Sequence, residues 1–299
     1  MYQKNAGTSP RRKSKASGKS PRLDRRIAVL WNLSTHDGQK RWKREPAFLV
    51  RTTATCQSIR TVTADRFHLH DDVLLDARRA VWLPRSRSLA VADLHLGEAW
   101  ARRARGQLMP LGIVDTTVTR LRALLESYRP ERLILLGDIV HAALPIDGIQ
   151  RAVQELASLE HEGLVLEWCL GNHDRQLPRQ LERWGIPART VRQVNLPEAI
   201  LFHGDQPPEP ADPERHASSW RIQGHLHPAL VLDDGIASRA KVPCFLVNPG
   251  RLVLPAFSEM AAGSTVDRRG IPQGLGEEDR FESAIACLGP RLLRIPFAR

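Results

Sequence analysis

The chain has 299 residues, 44 Lys/Arg against 33 Asp/Glu and a formal net charge of +11, enough for one large domain or two small ones at roughly 100–200 residues each. Residues 1–60 hold 15 Lys/Arg against Asp24, Asp37 and Glu45, a net of +12, which leaves −1 for the remainder; total charge is therefore no argument for a nucleic-acid partner. Cys56, Cys169, Cys244 and Cys287 form no C-x-x-C pair, which argues against a disulfide scaffold or structural zinc site and for reduced thiols in a cytoplasmic protein.

No apolar run approaches the ~18 residues of a membrane span, so no membrane association is expected. Ile27-Ala28-Val29-Leu30-Trp31 falls short of the ~7–15-residue apolar core of a secretory signal. The stretch from Ser9 to Arg26 is basic, punctuated by Ser, Pro and Gly, and poor in apolar residues. Such a composition does not bury enough surface to fold. Residues 1–60 thus read as a disordered extension: an arm that touches phosphates, a solvated tail without a task, or a segment upstream of the true start.

From about Thr61 to residue 299 the pattern becomes that of one folded domain. Val73-Leu74-Leu75-Asp76, Ala80-Val81-Trp82-Leu83 and Ser88-Leu89-Ala90-Val91-Ala92 are short apolar runs parted by charged or Pro-containing turns, which predicts strands. Val114, Val118, Leu121, Leu124 and Leu125 recur at helical spacing and stop before Pro130. A buried strand over Arg132–Leu136, a helix carrying Ile149, Val153, Leu156 and Leu159, and a strand over Val165–Leu170 follow. This alternation implies a layered α/β domain. After Glu182 strands succeed one another: Ala199–Phe202, Trp220–Gln223, Leu230–Leu232, Cys244–Val247 and Arg251–Leu254. Two sheets between helices fit that order better than one open parallel sheet.

Five segments rich in metal-ligating side chains sit at the ends of these strands, in fixed order. They are Asp93-Leu94-His95, Gly137-Asp138-Ile139-Val140-His141, Gly171-Asn172-His173-Asp174, His203-Gly204-Asp205 and Gly224-His225-Leu226-His227. Each alone is weak, and a lone His203 or His141 is more often a hydrogen-bonded core residue. Their co-occurrence, with six of the 11 His inside the segments, points to a dinuclear metal centre of oxygen and imidazole donors. His36, His68, His70, His161 and His216 lie outside; His68 and His70 have a chelating spacing but precede the first strands. The Gly before Asp138, Asn172 and His225 suits tight turns and close backbone approach.

The order D-x-H, G-D-x-x-H, G-N-H-D, H, G-H-x-H resembles the calcineurin-like metallophosphoesterase superfamily. The resemblance implies a four-layer αββα sandwich over roughly residues 61–299 with two divalent metals, Mn²⁺ first and Fe or Zn²⁺ next. It implies that Asp93, His95 and His227 hold one metal, that Asn172, His203 and His225 hold the other, and that Asp138 bridges both. His173 would be the catalytic imidazole, oriented by Asp174, and would protonate the leaving group after attack by a metal-activated hydroxide. His141 stands where many members have another residue and is left as a neighbour of the site or a substrate contact.

Val91 to Glu98, Val242-Pro243-Cys244-Phe245 and Leu252 to Phe257 followed by Gly263 are similar to the bacterial ligase-associated DNA damage response endonucleases (PdeM-like). That implies a phosphodiesterase or endonuclease of nucleic acid or nucleotides, working beside an ATP-dependent DNA ligase, a nuclease and a helicase. Ser258-Glu259-Met260-Ala261-Ala262 departs from the aromatic and Gly/Thr residues expected there. Arg102 and Arg103, with Arg105, follow the first motif and are candidate phosphate contacts, or equally a solvated basic face. Alternatives are a cyclic-nucleotide phosphodiesterase, a lipid-precursor pyrophosphohydrolase, and a metal-free scaffold of the same fold.

Overall fold

The computed structural model describes residues 65–109, 113–142, 147–161, 163–210, 219–233, 239–261 and 263–297. The expected extension of residues 1–60 lies outside the described residues, as do Cys56, His36 and His216.

The first sheet holds seven strands in spatial and chain order: β1 (Arg66–His70), β2 (Val73–Asp76), β3 (Ala80–Leu83), β4 (Ser88–Ala92), β5 (Arg132–Leu136), β6 (Val165–Cys169) and β7 (Arg189–Val191). Strands β1 to β4 form an antiparallel meander, and β4 to β7 run parallel. The parallel half is threaded by the helices α1 (Glu98–Ala104), α2 (Ile113–Tyr128), α3 (Asp147–Ala157) and α4 (Leu177–Trp184).

The second sheet comprises β8 (Gln193–Asn195), β9 (Ala199–Phe202), β10 (Trp220–Gln223), β11 (Pro228–Asp233), β12 (Arg239–Asn248), β13 (Arg251–Val253), β14 (Ser264–Thr265), β15 (Ser283–Leu288) and β16 (Arg291–Pro296). Its order is β14-β11-β12-β13-β10-β9-β8, with the β15–β16 hairpin added along β12. Strands β9, β10 and β13 are mutually parallel and the others largely antiparallel.

Side-chain alternation sorts the two cores, because successive residues of a strand point to opposite faces. Leu89, Val91, Leu133, Leu135, Leu166 and Trp168 meet Val118, Leu121, Leu124, Val153, Leu156, Leu177 and Leu181 of the helices. Ala90, Ala92, Ile134, Leu136 and Cys169 meet Leu201, Ile222, Phe245, Val247, Leu252 and Leu254 of the second sheet. The fold is thus two mixed sheets flanked by helices, as expected. Helices α2, α3 and α4 pack their apolar faces on the first sheet. Glu167, the polar residue inside β6, is buried between Arg132 and Arg189 at 3.4 and 3.3 Å.

Two sequence expectations change. His68 and His70 do not precede the strands: they lie in β1, an edge strand whose alternation buries Phe67 and exposes both imidazoles. Strand β12 extends five residues before Cys244, because pairing with β11 carries Arg239–Pro243 into the sheet despite their polarity. Cys169, Cys244 and Cys287 are buried free thiols, as expected; burial pushes Cys169 and Cys287 up to about 12.

Register decides where the motifs meet. Ala92, Leu136 and Cys169 are aligned partners at the carboxyl ends of β4, β5 and β6, and Phe202, Gln223 and Val253 end β9, β10 and β13 together. The two sets of ends are joined by a parallel bridge between Ala92 and Ala256. Every motif therefore leaves its strand at one common edge, where ligands gather in layered α/β folds.

Candidate metal centre

The first two motifs prolong the β4–β5 ladder past the strand ends. Amide donations from Asp93 to Gly137, His95 to Asp138, Leu96 to Ile139 and His141 to Leu96 span 2.8–3.1 Å. The backbone that carries them is not extended. Asp93, His95, Asp138, His225 and His227 have φ of 57°, 46°, 47°, 66° and 44°, the left-handed region that costs an L-residue roughly 1–2 kcal/mol. Five of the eight described non-glycine residues with positive φ are ligand candidates. Such conformations persist where the surroundings impose them, and they cluster at functional sites. Glycine is needed beside them for space: a Cβ on Gly137 (φ 76°) would overlap the His203 ring, and one on Gly171 would overlap the Asp138 carboxylate.

The side chains form two groups that share one carboxylate. Asp93, His95, Asp138 and His227 bring one ligand atom each within 4.8 Å of the others, and Asp138, His203 and His225 do the same. In the first group His227 Nε2 lies 3.3 Å from Asp93 Oδ1 and 3.2 Å from His95 Nε2, and His95 Nε2 lies 3.9 Å from Asp138 Oδ2. In the second, His203 Nε2 lies 3.4 Å from Asp138 Oδ1, 3.2 Å from Asn172 Oδ1 and 3.1 Å from His225 Nδ1. Asp138, the expected bridge, is the member common to both. Facing ring nitrogens and carboxylate oxygens at these distances, with no thiolate, suit a borderline divalent cation. His203 Nδ1 donates to the Leu136 carbonyl at 3.3 Å, so Nε2 is the nitrogen that would offer its lone pair to a cation once its proton is displaced.

Electrostatics separates the groups. Burial, aided by His227, pushes His95 down to about 3, which keeps it neutral. Burial also opposes the charged form of His203, but its hydrogen bond to Asp138 and the charge of Asp93 prevail and raise it to about 9. Burial likewise works against Asp138 ionisation, and His203 overcomes it, so that carboxyl is held well below the usual range.

His173 lies at the open side. Its Nδ1 donates to the His141 carbonyl at 2.6 Å, its amide donates to Asp138 Oδ1 at 2.9 Å, and its Nε2 is 3.9 Å from Asp138 Oδ2. The His141 ring packs 5.5 Å from those of His95 and His173, making a third group of close nitrogens. Two facts weigh against a cation there: His95 is shared with the first group, and His173 Nδ1 is committed to a carbonyl.

Asp174 does not orient His173. Its buried carboxylate accepts the amides of Ile139 at 3.1 Å, Val140 at 3.0 Å and Gly171 at 2.9 Å. Residues Asn172–Asp174 form one 3₁₀ turn, which sets successive side chains about 120° apart. His173 therefore faces out and Asp174 in, where it ties the second and third motifs together. Burial pushes Asp174 up to about 6 against the pull of those amides.

Arg102 is held by the buried Glu98 at 2.6 and 3.0 Å, and both sit close enough to His141 to bias its charge. Arg103 instead donates to the Met109 carbonyl at 3.0 Å; nothing among the described residues joins it to the ligand candidates. Two arginines that carry no motif signature matter more. Arg79 donates to the carbonyls of Ala256 and Ser258 at 3.1 and 2.8 Å. Arg120 donates to that of Phe257 at 2.9 Å and covers its ring at 4.1 Å. The clamped segment donates amides back to Ala92 and Asp93 at 2.7 and 3.1 Å. Ser258, where the chain departs from the expected pattern, is thus a buried support for Asp93 rather than a substrate rim.

Comparison with known proteins agrees with this geometry. Residues 86–237 match the calcineurin-like phosphoesterase family. The chain belongs to that family, metal-dependent hydrolases of phosphoester bonds. Among solved structures it is similar to the nuclease MPE of Pseudomonas putida, at 28% identity and a TM-score of 0.53, over 75% of this chain and 94% of that one. It also matches YfcE, a phosphoesterase from E. coli, at 16% identity and a TM-score of 0.36, over 71% and 99% of the two chains. No curated protein matches the chain. Among the described residues no helix is long and apolar enough to cross a membrane.

Proposed function

We propose that the protein is a two-metal phosphodiesterase that cuts nucleic acid, with Mn²⁺ as the preferred ion. The observation that carries this reading is the pair of ligand groups sharing Asp138. The likeness to a nuclease over three quarters of the chain supports the substrate class. Asp93, His95, Asp138 and His227 would hold one cation, and Asp138, Asn172, His203 and His225 the other. When bound, such cations draw charge from phosphoryl oxygens and make a water nucleophile available near neutral pH.

The chain's own groups supply the rest. The Nδ1–H donation to the His141 carbonyl fixes the His173 ring, so Nε2 faces the centre and, in the imidazolium form, delivers a proton to the departing alkoxide. Asp174 positions the loops that carry Asp138 and His173. His141 and the Glu98–Arg102 pair flank the open side, where they contact the non-reacting part of the substrate. A place in DNA repair beside a ligase, a helicase and a nuclease belongs to the same proposal and rests on the PdeM-like resemblance.

A substrate panel with Mn²⁺ tests it: single-stranded and duplex DNA, RNA, 2′,3′- and 3′,5′-cyclic nucleotides, and a phosphomonoester. Cleavage of DNA that chelation abolishes is expected. Turnover confined to cyclic nucleotides or the monoester would overturn the substrate class.

A further inference from the structure

The two parallel strands β10 and β13 each place an arginine on the outer face of the second sheet. Ile222 and Leu252 point into the core between the sheets, so by alternation Arg221, Gln223 and Arg251 point away from it. Arg221 and Arg251 are aligned partners, on strands about 4.8 Å apart. Like charges so placed repel unless an anion sits between them.

The surroundings do not supply that anion in full. Arg221 is exposed; its amide donates to the Gly250 carbonyl at 2.8 Å, and its guanidinium makes no hydrogen bond or ion pair among the described residues. Arg251 lies over the Phe281 ring at 4.8 Å, which fixes its plane, and its Nη2 is 3.7 Å from Asp279. Between the two guanidinium groups and the loop after β9 is a cavity of about 390 Å³, lined also by Phe202, Gly204, Asp205 and Gln223. That volume lies in the range of small-ligand sites. An apolar ring, an amide, a carboxylate acceptor and two cations together suit a nucleotide unit better than a bare inorganic anion.

The position links the cavity to the centre. Gly204 follows His203 directly, and Gln223 stands two residues before His225. We infer that Arg221, Arg251 and Gln223 form a subsite for a nucleotide phosphate flanking the one hydrolysed, along a polynucleotide strand. This rests on the nucleic-acid reading above and deepens it: a subsite beside the centre gives a polynucleotide an advantage over a small diester.

The test compares the wild-type protein and Arg221→Glu with Mn²⁺ on two substrates, an oligodeoxynucleotide and bis(p-nitrophenyl) phosphate. Arg221 is exposed, so the variant folds, and its melting transition checks this. Loss of a charge-assisted contact should lower the ratio of oligonucleotide to small-diester kcat/KM by roughly tenfold or more. The salt dependence of oligonucleotide KM should flatten by about one ion. Equal losses on both substrates, or an unchanged ratio and salt slope, would overturn the subsite alone. A wild-type protein that turns over the small diester and leaves every polynucleotide intact would overturn the nucleic-acid reading and the subsite with it.

Discussion

From Leu89 to Ala92 in β4 and Leu133 to Leu136 in β5, side chains alternate strictly between the helix-facing and sheet-facing cores. One or two residues further on, the same strands pass into left-handed backbone at Asp93 and Asp138, and apolar packing gives way to converging carboxylates and imidazoles. The bodies hold the fold through buried area. The ends are imposed conformations, held by the Asp174 carboxylate, the Arg79 and Arg120 clamp, and the ladder that precedes them. Substitutions at ends and bodies should therefore separate activity from stability.

The largest effect is expected at the shared end. Asp138→Asn should lower kcat/KM by roughly 10³-fold or more, since it weakens both cation sites and the charge stabilisation they give. The metal-free variant should still melt cooperatively; a variant with ordinary turnover would break the shared-ligand account. His173→Ala should lower kcat by roughly 10²–10⁴ with metal content retained. The loss should shrink for a p-nitrophenolate leaving group, which needs little protonation, and equal losses on good and poor leaving groups would remove His173 as the acid. A strand body behaves in the opposite way. Leu135→Ala, at a fully buried position facing the helices, should cost about 2–5 kcal/mol in chemical denaturation, while kcat of the folded protein stays near the wild-type value.

Protonation sharpens the contrast within the ends. In the metal-free protein His203 is raised to about 9, above its ordinary value near 6.5. Its favourable partners therefore add stability that is complete below pH about 6.5 and fades as pH rises through about 9. Cation binding must displace that proton, so metal affinity should rise with pH over the same window and level off above it. Melting without metal and Mn²⁺ titration at pH 6, 7.5 and 9 should show these opposite trends; affinity independent of pH would mean that His203 carries no proton to displace.

Much of this was legible before the fold. Strands β2 to β5, β9 and β10 coincide with runs whose apolar patterning is local, and the ligand candidates stand out because five motifs keep one order. What escaped depends on distant backbone. The β15–β16 hairpin has no motif and gains its place by pairing with β12. The neighbouring positions of His173 and Asp174 suggested contact, but a 3₁₀ turn sends them opposite ways. Arg79 and Arg120 look like ordinary surface cations until carbonyls of residues 256–258, about 140–180 positions later, close over them.

The central claim is that two cations share Asp138, and anomalous scattering from crystals grown with Mn²⁺ tests it most directly. The account predicts two peaks, one among Asp93, His95, Asp138 and His227, the other among Asp138, Asn172, His203 and His225. A single peak, or one seated among His95, His141 and His173 away from Asp138, would contradict it.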